Sequence, residues 1–407
     1  MRALALASVV LLGGCTPIAS AFRCADSAAC VREGVAGTCE ADHWCSFADA
    51  QCDSGRRYGE FAGDGLSNLC VTAADSCGAL GEPCCAGSNA CQSGLTCTGG
   101  VCAGCVTALA LGDAHGCALV HDGSVACWGA NDHGQLGRGT SGGAGATAAP
   151  VVDDHGVPLA GVSAIAAGGN HTCALRGDGT VVCWGDDVAV PAVVALTTIA
   201  AIAAGAHHTC AALGNGAVWC WGGNDAGQLG TAPSAGSASP VEVVDKAGAP
   251  LDAASVAAGA TESCAVGRDH KLVCWGSDGG GELGDGTSAT TSLPVVAASL
   301  GAHVVAAAAG DRFACALDDA QKVSCFGAGN AAPTAVALDL ATAIAVGGTR
   351  GCARRAGGTL SCWGPDLMPA VVREGVGAIA VSGGDTCSAR ADGVDCATFG
   401  DPRLACP

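Results

Sequence analysis

Lysine is nearly absent, with three residues in a chain of 407. With arginine the basic residues reach only 18 against 37 acidic ones, giving a formal net charge of −19 and a pI of about 4.6. Nucleic-acid binding needs clustered Lys and Arg facing phosphates, so this balance excludes it. Aromatic residues are scarce as well, with seven Trp, six Phe and one Tyr. The ten histidines are scattered, which leaves a zinc reading without ligands. Beyond the N-terminus no apolar run is long enough to span a bilayer. No His-Glu-x-x-His, Gly-x-Ser-x-Gly or Walker pattern occurs. What is plentiful is cysteine, at 29 residues, and glycine, at 65, in a chain that is half hydrophobic. That hydrophobic content excludes disorder, and the length suits two or three domains. Cysteine usage this high excludes a reducing cytosol unless the thiols bind metal.

The N-terminus accounts for one cysteine. Met1 and Arg2 open a weakly basic segment, residues 3–12 form a short apolar run, and Leu12, Gly13, Gly14 and Cys15 follow. This resembles a bacterial lipoprotein signal ending in a lipobox. The resemblance implies that residues 1–14 are removed, that Cys15 is lipidated as the mature N-terminus, and that residues 15–23 form a tether. Two or three acyl chains hold a protein stably at a membrane where one would not. Thr16, in place of the Asp that favours inner-membrane retention in that family, implies outer-membrane sorting. The expected location is the bacterial cell envelope, on its periplasmic or outer face. The other reading is a plain secretory signal cut near residues 19–21.

Residues 24–105 carry thirteen cysteines and few large apolar residues. Such a segment cannot bury enough surface by itself and is expected to be a small, loop-rich region stapled by disulfides. The adjacent Cys84 and Cys85 are poorly placed to pair with each other. Connectivity does not follow from spacing. Cys102 and Cys105 have redox-motif spacing, but no βαβ pattern surrounds them, so their role reads as structural.

From residue 106 the chain repeats itself. Anchored on its first cysteine, one unit recurs at Cys117, Cys173, Cys210, Cys264, Cys315, Cys352 and Cys387. A second cysteine follows ten residues later in six units and nine later in the last. Strand-like alternation flanks turn pairs such as Asp122-Gly123, Asp178-Gly179 and Asn215-Gly216, which predicts two-residue hairpins with φ above zero at both centres. Facing cysteines across such a hairpin are close enough to bond. The predicted pairs are Cys117–Cys127, Cys173–Cys183, Cys210–Cys220, Cys264–Cys274, Cys315–Cys325, Cys352–Cys362 and Cys387–Cys396. An Ala-rich strand precedes each hairpin. A further strand is expected near Pro150, Pro191, Pro240, Pro294, Pro333 and Pro369. Four short strands in each of seven units predict an all-β, seven-bladed β-propeller over residues 106–407.

The strings Gly-x-x-His-Thr-x-Ala-Leu, Asp-Gly-x-Val-x-x-Trp-Gly and Asn-x-x-Gly-Gln-Leu-Gly are best kept in the first three units. There they include His171, Thr172, Asp178, Gly179, Trp184, and the runs 131–137 and 224–230. The set resembles the regulator of chromosome condensation (RCC1-type) repeat, whose fold is also that of a secreted bacterial β-lactamase inhibitor protein. Phe326 stands in the Trp place of unit five, and Ala397 breaks the pattern in unit seven.

With Cys15 set aside, parity leaves Cys406 to pair with the N-terminal block. Cys105 is the expected partner and Cys102 the second choice, latching the last blade to the first. Propellers gather the loops between first and second strands around one end of a channel. The candidate binding residues there are His115, Asn170, His171, His207, His208, Glu262, Arg312, Phe313, Arg350 and Asp385. The histidines of the repeat suit a structural hydrogen-bonding role better than catalysis. In the eukaryotic relatives this loop type engages a small GTPase, but the Asp used there is absent at Asn170, and an exported chain would not meet that partner. Asp- and Gly-rich loops such as residues 277–280 lack the alternating ligands of a calcium loop and read as solvated turns. No metal or cofactor is expected. The reading is an exported, lipid-anchored, non-catalytic binding or scaffold protein that presents its loops to a protein or glycan. The alternative is an inhibitor of a secreted enzyme. An enzyme or a nucleotide exchange factor is the remote one.

Overall fold

A computed structural model describes residues 106–397, apart from 299, 301–302, 384 and 391–392, together with the backbone of short strands between residues 31 and 104. Contacts divide the chain into Met1–Ala103 and Gly104–Pro407. In the first unit Thr38–Cys39 pairs with Cys45–Ala48 in a register that sets Cys39 opposite Cys45, and Leu95–Thr98 pairs with Val101–Gly104. Cys15, the tether, and the expected pairing of Cys105 with Cys406 lie outside the described residues.

The second unit is a seven-bladed propeller. Six blades are four-stranded antiparallel meanders, and the seventh shows three strands among the described residues. In blade two the order is Val162–Ala167, His171–Arg176, Val181–Gly185 and Val188–Val193, from the channel outward. First strands such as Ile199–Ala204 and Val304–Ala309 are built from Ala and β-branched residues. Small side chains let seven such strands converge on one axis. Pro150, Pro191, Pro240, Pro294 and Pro333 all sit in fourth strands, on the open edge where a missing N–H removes no ladder bond. The apolar clusters lie between blades. One joins Val106, Leu109 and Trp128 of blade one to Ala380, Cys387 and Val394 of blade seven, which closes the ring.

In every hairpin the two cysteines are directly opposite and bonded, with Cα atoms 4.0–4.1 Å apart. That separation belongs to a non-hydrogen-bonded pair, where side chains approach most closely.

In blades one to six the turns differ from the two-residue form, whereas in blade seven the expected register holds, with Arg390 directly opposite Gly393. Gly123 N–H donates to the Val120 carbonyl and Val120 N–H to the Ser124 carbonyl, each at 2.9 Å. The loop is therefore three residues, a type I turn closed by one left-handed residue. Only that last position needs positive φ, and Gly123 supplies it at 81°. Asp122 instead accepts the Ser124 N–H at 2.9 Å. His270 and Gln321 occupy the left-handed place in blades four and five, both at φ 63°. His270 stacks on His303 with ring centroids 4.9 Å apart, whereas Gln321 is exposed and has no such partner. Gln321→Gly should therefore stabilise the propeller by about 0.5–1 kcal/mol, read as a higher urea midpoint.

Long connections between third and fourth strands interlock neighbouring blades. Asn131 Oδ1 accepts the Leu136 N–H and Asn224 Oδ1 the Leu229 N–H, each at 3.0 Å. The folded loop then offers a carbonyl to the next blade: Trp184 Nε1 donates to Gln135 and Trp275 Nε1 to Gln228, both at 2.9 Å. Residues 277–280 belong to the same device rather than to a solvated turn. Asp278 is fully buried and its Oδ1 accepts the Leu283 N–H at 2.9 Å. Phe326, which has no N–H to donate, fills the corresponding place in blade five, against Gly284.

Candidate functional site at the mouth of the central channel

The first strands converge on a cavity of about 80 Å³ to which all seven blades contribute. Its wall is mostly glycine and alanine. First strands run out at Gly168, Gly205 and Gly259, where a Cβ would stand 2.1, 2.3 and 2.2 Å from the next blade's carbonyl oxygen. Close approach allows inter-blade bonds along the wall: Asp113 N–H to the Gly169 carbonyl at 3.2 Å, Gly169 to Ala206 at 3.0 Å, and Ala260 to Gly310 at 3.0 Å. Gly168→Ala must push a blade outward and should cost about 3 kcal/mol. Gly279→Ala, where a Cβ meets nothing within 4 Å, should change stability by less than about 0.5 kcal/mol in the same urea titration.

Behind the glycines runs a polar ladder. His115 Nε2 lies 2.8 Å from Thr172 Oγ1, His171 Nε2 2.8 Å from Thr209 Oγ1, and His208 Nε2 2.8 Å from Ser263 Oγ. Each bond joins one blade to the next. Ser263 Oγ donates to the Gln228 carbonyl at 2.9 Å, so His208 Nε2 must be the donor toward it. Burial pushes His115 and His208 down to about 3, helped in both by the charge of His171. His171 is also held low by burial, which outweighs the Asp186 carboxylate 3.4 Å from its Nδ1.

The ladder's pattern is legible between repeats. Where the histidine is replaced by Glu262, Phe313 and Asp385, the following blade has Ala314, Gly351 and Gly116 in the hydroxyl's place. Arg350 is the exception, and the hydroxyl of Thr386 in the next blade is buried without a partner among the described residues. Glu262 is fully buried. Its Oε2 accepts the Thr261 N–H at 3.1 Å and its Oε1 finds no partner among the described residues. Desolvation raises its pKa well above the ordinary value.

The ten expected loop residues thus divide. His115, His171, His208, Glu262, Phe313 and Asp385 are buried, and of these the three histidines and Phe313 join blades, whereas His207, Arg312 and Arg350 are exposed and Asn170 is half-exposed. Arg312 and Arg350, on adjacent blades, make no hydrogen bond or close ion pair among the described residues. Asp113 and Asp311, absent from the expected set, line the channel itself. Desolvation and then the Asp113 charge raise the pKa of Asp311. The hydroxyls bonded to histidine are at most 1% exposed, so no substrate reaches them. Asp385 clusters with Cys387 and Cys396, but those sulfurs are bonded to each other. Asp153, Asp154 and His155 also cluster, yet Asp153 Oδ1 already accepts the His155 and Val157 N–H groups.

Two models described as the regulator of chromosome condensation (RCC1) repeat match the chain, one over residues 106–135, 162–188 and 199–228, the other over 215–266 and 269–317. Among solved structures, human WBSCR16 is similar with a TM-score of 0.61 at 18% identity, covering 68% of this chain and 84% of that one. Yeast RCC1 (Prp20), solved with Kap60 bound to it, has a TM-score of 0.59 at 21% identity, covering 68% of this chain and 78% of that one. At these identities the likeness is one of fold. Residues 106–317 thus carry regulator of chromosome condensation repeats, within a seven-bladed propeller.

Proposed function

We propose that the protein is an exported, lipid-anchored, non-catalytic scaffold whose channel mouth binds a protein or glycan partner. The observation that carries this reading is the contrast at that mouth. Exposed side chains without close partners among the described residues, Arg312, Arg350 and His207, stand on loops whose neighbours are bonded from blade to blade. Such a surface is preorganised and loses little freedom on binding. Seven buried or half-buried disulfides support an oxidising compartment. Residues 12–15 supply the expected anchor, and the excess of acid keeps an anchored protein soluble.

Two experiments test this reading. Cys15→Ser should move the protein from the detergent phase to the aqueous phase, and continued detergent partitioning contradicts the anchor. Cross-linking on intact cells should capture a partner that Arg312→Glu combined with Arg350→Glu loses, with the melting temperature unchanged. Equal capture by that variant removes the channel mouth from the interaction.

A further inference from the structure

At the junction of blades two and three the interlock is missing. Blade two passes from Val181–Gly185 to Val188–Val193 through Asp186 and Asp187 alone, so no loop reaches across to the next tryptophan. Trp128, Trp184, Trp275 and Trp363 are at most 3% exposed, whereas Trp219 and Trp221 are half-buried. Trp221 packs with Cys173, Leu175 and Val181 of blade two, and strand periodicity puts Trp219 on the same face. The opposite wall is open too: Cys183 is half-buried while every other hairpin cysteine is buried, and Ala192, opposite Cys183, is exposed. Glu242 stands directly across from Trp219 on the fourth strand. Neither indole N–H, nor the Glu242 carboxylate, has a partner among the described residues.

We propose that this rim groove, floored by Trp219 and Trp221 and edged by Glu242, binds a neutral sugar chain. A tryptophan offers an apolar face for the C–H surface of a sugar ring and an N–H at its wet edge. The donor and acceptor balance selects the ligand. A guanidinium or ammonium group would satisfy Glu242 but leave both indole donors without acceptors. A sugar hydroxyl both donates and accepts, and so serves the carboxylate and the indoles together. The carboxylate, in a chain of net charge −19, rejects acidic glycans. The groove is formed by third and fourth strands, whereas the channel is lined by the ends of the first, so this site is separate from the one proposed above.

The test uses the whole chain against cellohexaose, maltohexaose, N-acetylchitohexaose, hexagalacturonate and octa-arginine, read by tryptophan fluorescence. One neutral hexasaccharide should quench and blue-shift the emission in a saturable way, and hexagalacturonate should not. Trp219→Ala and Trp221→Ala should each weaken binding by about tenfold or more. Glu242→Gln, at the rim where folding is not at stake, should weaken it several-fold. Trp275→Phe, in a buried place, should bind as the unmodified chain does. The proposal is overturned if no neutral hexasaccharide saturates the signal at millimolar concentration. It is equally overturned if Glu242→Gln binds unchanged, or if octa-arginine alone titrates the two tryptophans. None of these outcomes bears on capture through Arg312 and Arg350.

Discussion

Refolded in the presence of a strong reductant, the propeller is expected to remain unfolded. Each hairpin disulfide closes a loop of about ten residues, which the chain-entropy model values at roughly 2.5–3 kcal/mol. The structure has seven of them. Their combined contribution exceeds the 5–15 kcal/mol by which a typical domain is stable. The inter-blade clusters are rich in Ala and Val, with Leu and one ring at most junctions, so they hold little in reserve. Removing one bond should leave the fold intact. Cys264→Ala combined with Cys274→Ala should lower the unfolding free energy by about 2–3 kcal/mol in urea, followed by far-ultraviolet circular dichroism. A fully reduced chain with the oxidised chain's spectrum and urea midpoint would falsify this account. Mild reduction of the folded protein should open Cys173–Cys183 before the other six bonds, because Cys183 is the half-buried one. Alkylation followed by peptide mapping reads that order.

The hairpins were legible because independent signals coincide, the cysteine pair in all seven units, a turn dipeptide in five and a proline after the hairpin in six. Paired cysteines, a turn dipeptide and a following edge-strand proline give the same register. The turn geometry was not legible, since Asp-Gly serves both two- and three-residue loops. The difference lies in which carbonyl Gly123 bonds, and composition does not record that. The histidines of the channel mouth were visible as a repeated position, but their direction was not. His115 meets its hydroxyl in the next repeat, at Thr172. The signal that would have found it is a relation between adjacent repeats, a histidine in one and Ser or Thr one place later in the next. Aligning each repeat only with itself hides it. The channel glycines were equally exposed to view, at the end of each Ala-rich strand, yet only the approach of a neighbouring carbonyl explains why no alanine serves there. The groove at Trp221 follows from an omission. The short spacing between Cys173 and Cys210 is plain in the sequence, but what a missing loop uncovers depends on the blade beside it.

Acidification below about pH 6.5 should destabilise the propeller steeply, well before its carboxylates are protonated. His115 and His208 titrate at an ordinary 6.5 in the unfolded chain and at about 3 in the folded one. Between those values the unfolded state holds protons that the folded state refuses, so stability falls as pH falls. Each such histidine contributes a loss of about 1.4 kcal/mol per pH unit. His171 adds to it in the same direction. Glu262 acts with the opposite sign. Its folded pKa is raised above 4.5, so the folded state keeps a proton that the unfolded chain has released, and stability falls as pH rises through that window. One carboxyl does not offset three histidines, and the net slope remains that of the ladder. Urea midpoints measured from pH 7.5 down to pH 4 should show it. His208→Gln keeps an N–H donor for Ser263 but cannot titrate. It should hold neutral-pH stability within about 1 kcal/mol and flatten the slope by about 1.4 kcal/mol per unit. Glu262→Gln should raise stability at pH 7.5 and leave the acid limb steeper. A flat profile, or a His208→Gln slope equal to that of the unmodified chain, would mean that the ladder admits protons in place and that burial does not hold its histidines neutral.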